Sequence, residues 1–273
     1  MGVNNSSIKC VQPMMKYFQN NDKADFGKIL RAVILDDVSH SIPPFFRTNL
    51  YLQQIDPENI FYTGEGNKEK ALWQSKDYLL DLIDFISSSE YTPLKKVSKE
   101  SQSKRDKLFR CDGETVGEAK KEIQNGKRTG WFVFEGATHP DVFIVTNDFI
   151  IIIEAKWTEK TTTTYTTNLK NRDQMIRHIQ GAINYKKDPK NKCQDKRIIA
   201  FYIVDERFLD KEKNKYIRTR DGFNNALDKD SIKPENRDEI INAYTGYITW
   251  QKIKKEFPEI LLPKEIEAEK SHV

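Results

Sequence analysis

The apolar residues gather most densely between His139 and Trp157, in two runs, Val142-Phe143-Ile144-Val145 and Phe149-Ile150-Ile151-Ile152-Ile153. Polar Thr146-Asn147-Asp148 separates them, and charged residues stand only at their outer ends. Two short apolar runs joined by turn-forming residues predict a β-hairpin. With Asn147 and Asp148 as a two-residue turn, Thr146 faces Phe149, Ile144 faces Ile151 and Asp141 faces Glu154. Alternation puts Phe143, Val145, Ile150 and Ile152 on one face and Val142, Ile144, Ile151 and Ile153 on the other. Both faces are apolar, as in strands covered on both sides within an α/β sheet.

Around this hairpin the apolar spacing predicts helices over 25–35, 67–87, 114–124 and 172–186. Strands are expected at 131–135, 197–205 and 244–249, with Thr249 capping a helix over 250–257. The order of hairpin, helix and strand 197–205 implies a crossover and a parallel pairing. Residues 87–112 are polar and carry Lys95, Lys96, Lys99, Lys104, Arg105, Lys107 and Arg110, which predicts a basic linker or long loop. Threonine-rich 161–167 reads as a polar strand or loop without chemistry.

The open end of the hairpin holds the candidate chemistry. Residues directly opposite in an antiparallel pair have Cβ atoms ~4.5–5.5 Å apart, so Asp141 and Glu154 oppose like charges. At that distance and an effective dielectric of about 20 they repel by roughly 3 kcal/mol. Lys156 alternates onto the same face and offsets part of this. A hard divalent cation such as Mg²⁺ offsets more, because it is held by one or two carboxylates with water and substrate phosphate completing its shell.

Pro140-Asp141, twelve intervening residues, then Glu154-Ala155-Lys156 resembles the PD-(D/E)xK motif of the restriction-endonuclease-like nuclease superfamily. The resemblance covers roughly residues 113–205. It implies an α/β fold with an αβββαβ core, a central mixed sheet flanked by helices, here with an extra helical N-terminal region. Three segments follow: a mainly helical region and basic linker over 1–112, a nuclease-like core over 113–262, and a charged tail over 263–273. The implied activity is Mg²⁺-dependent hydrolysis of phosphodiester bonds in DNA, with Mn²⁺ a substitute and an endonuclease of restriction, defence or repair type as the form. The alternative is a nuclease-fold module that binds nucleic acid without cutting.

The resemblance assigns Asp141, Glu154 and the Ala155 carbonyl to the metal, and Asp141, Glu154 and Lys156 to catalysis. Lys156 would position or activate water and offset charge building on the phosphate. Glu135 and Glu118 are rivals for a further carboxylate. His139 alternates onto the catalytic face, whereas His178 reads as structural. Gln180 and Tyr185 are five residues apart, unlike the Gln-x-x-x-Tyr spacing of RecB-like exonucleases. Gln174 and Gln180 are further candidates for DNA contact. Cutting both strands calls for two active sites, which is compatible with a homodimer.

Composition narrows the setting. Net charge is +4, too mild to identify a nucleic-acid partner by itself. Cys10, Cys111 and Cys193 are few and far apart, which argues against a disulfide framework and for a reducing cytoplasm. The longest apolar run, residues 149–153, is far too short to span a bilayer, so no membrane partner is expected.

Overall fold

The computed structural model describes residues 6–37, 49–64, 69–88, 99–159, 169, 172–227 and 232–267. Five strands form one mixed sheet in chain order: β1 (Ile60–Tyr62), β2 (Val142–Val145), β3 (Phe149–Lys156), β4 (Arg197–Val204) and β5 (Tyr244–Thr249). β2 runs antiparallel to both β1 and β3, while β4 and β5 continue parallel to β3. Helices surround the sheet: α1 (Gln12–Asn20), α2 (Gly27–Ala32), α3 (Lys76–Ser88), α4 (Lys99–Phe109), α5 (Gly113–Gln124) and α6 (Gln174–Lys187). After β4 come α7 (Glu206–Leu209), α8 (Arg220–Asn225), α9 (Pro234–Ala243), α10 (Trp250–Glu256) and α11 (Lys264–Glu267). No helix among the described residues is long and apolar enough to cross a membrane.

The apolar faces of the hairpin explain the layers. Val142, Ile144, Ile151 and Ile153 pack with Met14 and Phe18 of α1, Ile29 of α2 and Trp250 and Ile253 of α10. Phe143, Val145, Ile150 and Ile152 pack with Met175, Ile176 and Ile179 of α6 and Ile240 of α9. All four isoleucines of β3 are fully buried, and each contributes about 1.5–3 kcal/mol of burial. Crossover α6 begins at Asp173, whose side chain accepts from the Met175 and Ile176 amides. It delivers the chain from β3 to parallel β4, as the order of elements predicts. Thr249 likewise caps α10 by accepting from the Lys252 amide.

Three elements differ from expectation. Residues 131–135 are not a strand; Phe132 and Phe134 instead pack with Leu82 of α3 and Ile123 of α5 in a separate helical cluster. Their backbone is satisfied by a side chain, since the Arg105 guanidinium donates to the carbonyls of Trp131 (2.7 Å) and Val133 (3.1 Å). That same arginine accounts for the second difference, because the basic stretch at 87–112 contains α4, held by buried Arg105 and Leu108. Lys95 and Lys96 lie outside the described residues, as does the threonine run at 161–167. Third, strand β1 and helix α1 come from the first 112 residues and share the core built around β2 and β3.

The free edge of β5 is covered by the residues after α2. Ile34 and Tyr247 exchange backbone hydrogen bonds of 2.9 and 3.0 Å across an isolated bridge. Gly246, at φ +115°, allows that approach, for a Cβ there would lie on the Ile34 carbonyl. Gly246→Ala is therefore expected to lower stability by more than about 1 kcal/mol, read as a reduced urea midpoint at constant m. An unchanged midpoint would show that this edge cover contributes little.

Candidate active site

Three strand ends meet at the site. The pairing Val142↔Ile153 through Val145↔Ile150 extends one step outward to set Asp141 opposite Glu154, the register inferred from the two-residue turn. At the turn, the Thr146 amide donates to the Phe149 carbonyl at 2.8 Å. On the other side, the Thr63 amide donates to the Asp141 carbonyl at 2.9 Å, prolonging the β1–β2 ladder.

Asp141 is bound on both oxygens. Oδ1 accepts from the hydroxyls of Ser7 (2.7 Å) and Thr63 (3.0 Å), and Oδ2 accepts from the Ala155 amide (2.8 Å). Burial, and next the charge of Glu154, push its pKa up to about 7, with the bonds from Ser7 and Ala155 opposing.

Glu154 is the reverse case. Its Oε1 meets Lys156 Nζ at 2.7 Å and its Oε2 meets His178 Nε2 at 3.0 Å. Burial would raise it, but Lys156 and His178 together outweigh burial and hold it down to about 2. Lys156 is raised above its ordinary value because Glu154 outweighs the desolvation that would lower it. It is therefore a cation at neutral pH. Its Nζ also approaches Gln174 Oε1 at 3.3 Å.

Asp141, Glu154 and Lys156 are thus brought to one end of the sheet, and two groups from α6 join them. Gln174 and His178 are four residues apart, so they project from the same helix face toward Lys156 and Glu154. That spacing was readable in the sequence, although His178 was expected to be structural. Its Nδ1 pairs with Thr138 Oγ1 at 2.8 Å, which orients the ring. The Ala155 carbonyl accepts from Ser6 Oγ at 3.1 Å, and the same hydroxyl lies 2.9 Å from Glu159 Oε1. Ser6, Ser7 and Thr63 carried no sequence signal, because these contacts join distant parts of the chain.

The rival acids lie elsewhere in the bonding network. Glu135 is buried in a bidentate pair with Arg172 (2.8 and 2.9 Å), a contact to Arg177 (3.2 Å) and a bond from Tyr78 (2.9 Å). Glu118 pairs with Lys104 at 2.5 Å on the surface. Gln180 accepts from Arg172 at 2.5 Å, Tyr185 packs edge-on against Phe143, and His139 is exposed.

Two carboxylates and a backbone carbonyl are hard oxygen donors, a set that suits Mg²⁺ when water and phosphate complete the shell. A divalent cation there would add positive charge beside Asp141. No group of three or more His, Cys, Asp or Glu residues able to hold a metal occurs among the described residues. Any cation here therefore depends on this minimal set. Compared with known proteins, the chain matches no family model, no curated protein and no solved structure.

Proposed function

We propose that this protein is a divalent-metal-dependent nuclease that hydrolyses phosphodiester bonds in DNA, with Asp141, Glu154 and Lys156 at its centre. One observation carries the reading: the hairpin register opposes two carboxylates, Lys156 bonds Glu154, and at Asp141 burial and the charge of Glu154 outweigh the bonds and the charge of Lys156. A fold keeps such a cost where a cation offsets it. Asp141, Glu154 and the Ala155 carbonyl would hold Mg²⁺ or Mn²⁺, which would polarise the phosphate and acidify a water. Lys156, charged at neutral pH, serves by offsetting negative charge on the phosphate rather than by taking a proton. Gln174 and His178 hold Lys156 and Glu154 in place. Between residues 113 and 205 the order is α5, β2, β3, α6 and β4, one strand short of the αβββαβ core that the motif implies, and β1 from residues 60–62 lies beside β2 as the third strand.

A second reading, a nucleic-acid-binding module without catalysis, is favoured by the low exposure of Glu154 (2%) and Lys156 (7%). One experiment separates the two. Supercoiled plasmid incubated with the protein in Mg²⁺, Mn²⁺ or EDTA should be nicked or linearised with either metal and left intact in EDTA. Binding in a gel shift with no cutting under either metal selects the silent module, and neither binding nor cutting discards the DNA partner altogether.

A further inference from the structure

Asp141 is held by a residue from the far end of the chain. Ser7 opens a π-helical turn (Ser7–Val11) that runs directly into α1. Along this helix Cys10, Val11, Met14, Met15 and Phe18 are fully buried against Val142, Ile144, Ile151, Ile153 and Ala155. Close packing of that kind leaves little freedom to shift, so the Ser7 hydroxyl is fixed relative to β2 and β3. It lies 2.7 Å from Asp141 Oδ1.

We propose that Ser7 is a positioning residue for the reaction proposed above: its hydroxyl fixes the orientation in which the Asp141 carboxylate serves a divalent cation. The inference rests on that reading of the site. Asp141 has donors on both oxygens, the Ala155 amide on Oδ2 and hydroxyls on Oδ1, so turning the carboxylate breaks bonds on both sides. Thr63 shares its single proton between Asp141 Oδ1 (3.0 Å) and the Asp141 carbonyl (3.1 Å). The Ser7 bond is the shorter of the two hydroxyl contacts to Oδ1. Groups that hydrogen-bond metal-ligating carboxylates typically account for about 10–100-fold in metal affinity.

The test is a calorimetric Mn²⁺ titration of wild type, Ser7→Ala, Ser7→Thr and Asp141→Asn, with thermal midpoints measured in EDTA. Wild type should bind Mn²⁺ at a site that Asp141→Asn removes. Ser7→Ala should bind about 10–100-fold more weakly, and Ser7→Thr, which keeps the hydroxyl, should recover most of the affinity. Ser7→Ala within twofold of wild type overturns the positioning role while leaving the metal site standing. A weakening matched by a lowered midpoint, and not repaired by Ser7→Thr, also overturns it, as damage to the helix alone. Wild type without Asp141-dependent Mn²⁺ binding overturns the metal reading itself, and this inference with it.

Discussion

Lys156→Ala is expected to destabilise the metal-free protein by about 3–5 kcal/mol at neutral pH, the loss that follows when a buried charge is left without its partner. An exposed ion pair would give about 0–1 kcal/mol. The larger figure applies because the side chains of Lys156 and Glu154 are only 9% and 3% exposed and their charged atoms lie 2.7 Å apart. His178 remains on Oε2 but does not replace the ammonium on Oε1. The sign with pH follows from the depressed pKa. Glu154 contributes stability that is complete above its ordinary value and is lost as pH falls through about 2. Without Lys156 the carboxyl takes up its proton at higher pH, so the gap between variant and wild type should narrow as pH is lowered. Denaturant midpoints in EDTA at neutral and acidic pH measure this. A loss below about 1 kcal/mol at neutral pH would mean that solvent reaches Glu154 and that the pair is an ordinary surface contact.

Asp141→Asn should have the opposite effect on the metal-free fold. A carboxyl raised from 3.8 to about 7 binds its proton more tightly in the folded chain than in the unfolded one. Wild type therefore loses stability as pH climbs from about 4 through 7, and at 1.36 kcal/mol per unit the ceiling on that loss is about 4 kcal/mol. Asparagine has no proton to lose. It also fits the bonds around Asp141: its oxygen can take the Ala155 amide, and its NH₂ can donate to the Ser7 and Thr63 hydroxyls, which rotate to accept. The variant should match wild type near pH 4 and exceed it progressively toward pH 8, read as thermal midpoints in EDTA. A variant less stable than wild type at pH 8 would show that the hydrogen bonds to the carboxylate outweigh its burial and its repulsion from Glu154.

The parts of this site that lay within one hairpin were legible in the sequence. Asn147-Asp148 set the turn, the unbroken apolar runs of β2 and β3 required burial on both faces, and together they gave the opposition of Asp141 and Glu154. Strand β5 and the Thr249 cap were equally local. What escaped was held by long-range contacts. β1 has three residues, too few to show a period, and is a strand because β2 pairs with it. The aromatic run at 131–135 has β-like composition, yet its carbonyls go to Arg105 and its rings to a helical cluster. Helix α4 hid in a basic stretch because a buried arginine anchors it, where an apolar stripe is the usual signal. Ser7 reaches Asp141 across 134 residues, and no local pattern announces such a bond.

The most direct test of the site is single-turnover cleavage of supercoiled plasmid in Mg²⁺ at pH 8 by wild type and Asp141→Asn, each first shown folded by its thermal midpoint. Wild type should nick or linearise the DNA, and the equally or more stable variant should leave it intact. Cutting by Asp141→Asn at the wild-type rate would contradict the account, because the end of this hairpin would then not be the active site.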